Sequence, residues 1–193
     1  MPYTLQHFEF EMNHDGLRIT RYTGPDSITK VVVPAIIDGQ SVTEIGEWAF
    51  YQKVGIQSVE LPWTLKVIGE EAFRDCFNLR RINIPEGLTA ILHAGFKMCI
   101  RLKPLVLPQS LERIGEEAFL GCEKLNRVEF RSKTTEIHPF AFGHHPELTF
   151  VCFEYSTAWR YKEYLEPDHP IHREPFPDSI NYTGDRNYGF LEN

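Results

Sequence analysis

Apolar positions return with a period of 23 residues through the middle of this chain. Phe50, Phe73, Phe96, Phe119 and Phe142 mark the period, and residues 42–64, 65–87, 88–110, 111–133 and 134–156 align without a gap. Each unit opens on an aliphatic residue (Val42, Leu65, Leu88, Leu111; Thr134 in the last), and three residues on stands Ile45, Ile68, Ile91, Ile114 or Ile137. An Ala-Phe pair follows, with Gly95-Phe96 as the variant, and then a column of Ile56, Leu79, Leu102, Leu125 and Leu148. The unit closes on alternation: Val59-x-Leu61, Ile82-x-Ile84, Leu105-x-Leu107, Val128-x-Phe130 and Val151-x-Phe153. A period of two is the pattern of a short strand with one buried face. Pro62, Pro85 and Pro108 then stop the strands, because proline has no amide to donate. The IGEEAF stretch around the Ala-Phe pair is rich in helix formers and predicts a single helical or 3₁₀ turn on the opposite side. One unit cannot bury its own apolar edge, so the pattern predicts a repeat solenoid of stacked coils built mostly from short parallel strands.

The flanks predict caps. Phe8 and Phe10 alternate before Asn13-His14-Asp15-Gly16, and Leu17 and Ile19 after it, which reads as a hairpin turning at Asp-Gly. Val31-Val32-Val33-Pro34 repeats the strand-proline signature 28 residues ahead of Pro62, so residues 1–41 form a hairpin and an irregular first coil. Five 23-residue repeats occupy 42–156, a short amphipathic capping helix is predicted over 157–166, and 167–193 reads as an extended tail.

The pattern L-x-x-I-x-x-x-A-F-x-x-C-x-x-L-x-x-I-x-I-P, intact in residues 65–85, resembles the BspA-like, or Treponema-type, leucine-rich repeat. That resemblance implies a right-handed β/α superhelix and a bacterial, or protist, relative of proteins linked to surface adhesion and host contact. The common leucine-rich repeat carries Asn or Cys where this chain has Thr64, Gly87 and Ser110, so no asparagine ladder is expected.

Charge narrows the partners. A formal net charge of −7 over 193 residues argues against a general nucleic-acid binder, which shows a basic surplus. No apolar run approaches a membrane span. The first residues lack the basic and apolar segments of a signal peptide, which reads as cytoplasmic, with an extracellular or cell-surface location as the alternative if a native signal was removed. Cys76, Cys99 and Cys122 share one repeat position; side chains stacked in parallel are poorly aimed for bridging, and a reduced, buried column is expected.

Candidate chemistry is sparse. Glu70-Glu71 and Glu116-Glu117 are paired carboxylates, but on a ridge they act as a solvated face. His138, His144 and His145 in the last unit are the one conceivable metal or catalytic cluster. The outward strand positions are Ser58 and Glu60, Arg81 and Asn83, Pro104 and Val106, Arg127 and Glu129, then Phe150 and Cys152. These residues are predicted to stack into one face about 24 Å long, with Arg80, Arg81, Lys103 and Arg127 as a basic stripe. Varied residues on a rigid repeated sheet are how solenoids bind partners. The sequence therefore reads as a non-enzymatic module for a protein or peptide partner, with no cofactor, no nucleic acid and no membrane insertion. The alternatives are a metal-binding protein or enzyme using the histidine-rich unit, and a surface-adhesive or self-associating structural protein.

Overall fold

The computed structural model describes residues 5–143, 145, 148–152 and 156. A short 3₁₀ turn (Leu5–His7) leads into β1 (Phe8–Asn13), which pairs antiparallel with β2 (Gly16–Tyr22), Asn13 opposite Gly16. β3 (Lys30–Val32), β4 (Ile36–Ile37) and β5 (Gln40–Ile45) complete the irregular first coil. Thereafter each coil contributes two short strands, giving β6 (Ser58–Glu60), β7 (Val67–Ile68), β8 (Arg81–Ile82), β9 (Ala90–Ile91) and β10 (Leu105–Leu107). The series ends with β11 (Arg113–Ile114), β12 (Arg127–Phe130), β13 (Glu136–Ile137) and β14 (Thr149–Val151). The strands β2, β5, β7, β9, β11 and β13 run parallel in one sheet, one per coil, so the molecule is a β-solenoid of about six turns. The helix predicted over 157–166 and the tail over 167–193 lie outside the described residues.

The interior follows the columns. Phe50, Phe73, Phe96, Phe119 and Phe142 are buried, and successive rings stack with centroids 4.8, 5.2, 5.4 and 5.0 Å apart. Each burial stabilises by roughly 1.5–3 kcal/mol, and stacked pairs add somewhat more. Tyr22 extends the column at 5.1 Å from Phe50, a sixth ring hidden from the period by the irregular first coil. The cysteine column is reduced and buried, and each thiol donates to a carbonyl of the preceding coil: Cys76 to Phe50 O, Cys99 to Phe73 O and Cys122 to Phe96 O. In place of an asparagine ladder, the Thr64 and Ser110 hydroxyls cap Val42 O (2.7 Å) and Leu88 O (2.6 Å), while Gly87 has no side chain to do so.

The predicted helical turns are absent. In the first full coil the amides of Ala49, Tyr51 and Lys53 donate three residues back, while those of Trp48, Phe50 and Gln52 cross to Glu70, Ala72 and Arg74 of the next coil. A helix would keep every amide inside its own segment; here alternate amides build a further ladder between coils. Left-handed residues at repeat spacing (Trp48, Glu71, Ala94 and Glu117; Gln52, Asp75, Met98 and Gly121) turn the backbone so that this alternation is possible. Close approach also explains the Ile-Gly step. Gly69 donates to Ile45 O at 2.7 Å, and a Cβ there would stand 2.7 Å from that same oxygen.

Two further expectations are corrected on the closing strands. They form two three-stranded ladders, β3-β6-β8 and β10-β12-β14, rather than one continuous sheet. The break falls at Pro104. In the preceding coils Ser58 and Arg81 both donate an amide to the residue that leads into the neighbouring strand (Thr29 O and Gln57 O), and Pro104 at the equivalent position has none to give. In the last coil the period slips by one residue: Val128 pairs with Phe150 rather than with Val151. A one-residue slip reverses the faces of a strand. Phe150 and Cys152 therefore point inward and are buried, and Phe150 closes the aromatic column with its ring 5.1 Å from Phe142 in a T-shaped contact.

Candidate functional site

The outward columns of the closing strands are Lys30, Ser58, Arg81, Pro104, Arg127 and Thr149, and beside them Val32, Glu60, Asn83, Val106, Glu129 and Val151. Of the nine residues proposed from sequence, eight lie on this face and Phe150 does not. Arg81, Pro104, Val106 and Arg127 are exposed, with Val106 at 42%. Ser58 and Glu129 are half-buried and Glu60 is exposed.

Three of these side chains are already committed. The Asn83 amide group donates to Leu61 O at 2.9 Å and accepts from the Leu61 amide at 2.6 Å, so it imitates a strand partner where β8 has ended. Glu60 pairs with Lys30 Nζ at 2.6 Å. Glu129 lies 3.8 Å from Arg131 Nε, and Arg131 in turn reaches Glu86 at 2.7 Å. By contrast, Arg80, Arg81, Lys103 and Arg127 are exposed and carry no ion pair among the described residues.

The other candidates resolve into structural contacts. Glu71 accepts from Trp48 Nε1 (3.0 Å) and from Arg74 (2.9 Å), and hydrogen bonding to Glu71 raises the Arg74 guanidinium above its ordinary value. Glu117 is held below the usual carboxylate range chiefly by its hydrogen bond from Lys97, at 2.5 Å. His145 Nε2 lies 3.1 Å from Cys122 O, extending the cysteine column, and His138 Nδ1 accepts from the Phe140 amide at 3.3 Å. His144 lies outside the described residues. Among the described residues no three His, Cys, Asp or Glu side chains come together as a metal site. Burial pushes the Cys76 thiol up to about 12 and raises Cys99 and Cys122 as well, which makes them poor nucleophiles.

One feature escaped the sequence. A groove on the other sheet is lined by Thr89, Ala90, Glu112, Arg113, Thr134 and Glu136. Its signal was the small Ala90 in a column that also holds Arg18, Glu44, Val67, Arg113 and Glu136.

A model of the BspA-type leucine-rich-repeat region matches residues 21–164 in six copies. No curated protein matches the chain. A leucine-rich-repeat protein of Treponema pallidum is similar, at 37% identity and a TM-score of 0.71 over 77% of this chain and 69% of that one. One from Bacteroides ovatus has 26% identity and a TM-score of 0.67, over 79% of this chain and 41% of the longer relative. A third, from Bacteroides capillosus, has 28% identity and a TM-score of 0.52, over 68% of this chain and 94% of that one. No helix among the described residues is long and apolar enough to cross a membrane.

Proposed function

The chain belongs to the BspA-type leucine-rich-repeat family, and on that premise we propose that it is a non-enzymatic interaction module holding a protein or peptide partner against the closing strands. The observation that carries this reading is the contrast between columns at the same repeat positions. Inside, the strand columns stay apolar from coil to coil (Val59, Ile82, Leu105, Val128 and Phe150), and the Phe50 and Ile45 columns hold a single residue, because every coil must fill the same core. Outside, Ser58, Arg81, Pro104 and Arg127 differ in charge, size and hydrogen bonding, as do Glu60, Asn83, Val106 and Glu129. A backbone fixed by inter-coil ladders on three sides of each coil presents this varied surface with little freedom left to lose on binding. The relatives are likewise leucine-rich-repeat proteins. An adhesive role uses the same surface with the partner on another cell.

The test is an affinity capture from the source organism's lysate, comparing wild type with the Arg81→Glu plus Arg127→Glu double variant. Partners held by the wild type and released from the variant support the reading. Partners retained equally by both place the binding surface elsewhere.

A further inference from the structure

The strand side of the middle coils has a charge opposite to that of the whole chain. Segments 77–84, 100–107 and 123–130 carry Arg80, Arg81, Arg101, Lys103, Lys124 and Arg127 against only Glu123 and Glu129, in a chain whose net charge is −7. All six cations are exposed, two on each of three consecutive coils. The backbone sets them side by side: Lys103 N donates to Arg80 O, Lys124 N donates to Ile100 O, and Pro104 stands level with Arg127 in the register that pairs Leu105 with Val128. Arg101 donates to Asn78 Oδ1 at 2.7 Å, a neutral acceptor that leaves its charge unbalanced. The nearby carboxylates leave the band in surplus: Glu60 pairs with Lys30, Glu86 with Arg131, Glu129 lies against Arg131, and Glu123 alone stands exposed among the six cations.

An apolar stripe runs along one edge of the band. Val54 and Phe77 are each 37% exposed and Ile100 is half-buried, at equivalent turn positions where each amide donates two residues back. On the other edge stands exposed Val106.

We propose that this band recognises an acidic polypeptide segment laid across the three middle coils, its carboxylates on the Arg and Lys side chains and its apolar side chains on Phe77, Ile100 and Val106. The inference rests on the strand-face reading above and adds the chemistry of the partner. Charge complementarity calls for an anion, and the planar fork of arginine fits a carboxylate with two hydrogen bonds. The footprint is short, two coil steps or about 10 Å, and the apolar edges need apolar groups opposite them. A duplex nucleic acid keeps its bases stacked away from such edges, and any long polyanion meets the net negative charge of the rest of the chain.

The test is selection of a displayed random-peptide library on the full chain, followed by affinity measurement of the enriched peptides as synthetic probes. The expected outcome is enrichment of Asp and Glu interspersed with Leu, Ile or Phe. Affinity should fall with added salt and drop roughly tenfold or more in Arg81→Glu plus Arg127→Glu, as for charged pairs at an interface. An unchanged melting temperature in the variant shows that the loss comes from the surface. Single-stranded DNA and a sulfated polysaccharide serve as competing probes, and binding of either as tightly as the selected peptides overturns the proposal. Enrichment of neutral or basic peptides that are lost on Val106→Asp also overturns it while leaving the strand-face reading intact. Peptides insensitive to both changes overturn both.

Discussion

At the residue scale, Phe150 is the most instructive position. The stretch Phe150-Val151-Cys152-Phe153 is apolar throughout, so alternation could not decide which residues faced inward. Pairing with Val128 decided it, and Phe150 left the proposed binding face for the end of the aromatic column. Phe150→Ala should therefore cost about 3–5 kcal/mol in urea denaturation, the usual range for an emptied aromatic core site. A loss below about 0.5 kcal/mol, typical of a surface site, would show that the slip is absent. The cysteines give a second residue-level prediction. Their thiols are raised in the fold by burial, Cys76 to about 12 from an ordinary value of 9.0, so the unfolded chain ionises first as pH rises. Their contribution is complete below about pH 9 and is lost progressively toward pH 12. Measured as denaturation midpoint against pH, stability should fall more steeply over this window in the wild type than in the triple Cys→Ala variant. Parallel curves would contradict the burial of the column.

At the scale of elements, the period disclosed which side chains share a column, because side-chain shape is what repeats. It did not disclose where the amides go. IGEEAF has helical propensity, yet the inter-coil ladder takes alternate amides and leaves turns with left-handed residues such as Trp48 and Glu71. Tertiary hydrogen bonding overrode local preference there. The candidate site was legible to the same degree: its columns came from the period, whereas the capture of Asn83 by Leu61 depends on where β8 stops. Pro104 is the testable case. In Pro104→Ala the new amide should bond to Arg80 O, as Arg81 N does to Gln57 O, and join the two closing ladders. Hydrogen exchange at position 104 should then be as slow as at Arg81. Exchange at the rate of a free loop amide would mean that something other than the missing donor divides the sheet.

For the whole molecule, the solenoid separates two kinds of requirement. Its core demands sameness from coil to coil, which is why the fold was evident from sequence. Its outer columns are released from that demand, and they differ in charge between sides: Glu71 and Glu117 engaged with Arg74 and Lys97 on the turn ridge, unpaired cations on the strand side. The central claim, that the closing strands form the binding surface, has a direct test in hydrogen exchange with and without a captured partner. The account predicts slowed exchange confined to residues 58–60, 81–83, 105–106 and 127–129 and their flanking turns, with the ridge around Glu70 and Glu116 unchanged. Slowing on the ridge or along the groove beside Ala90, with the closing strands unaffected, would contradict it.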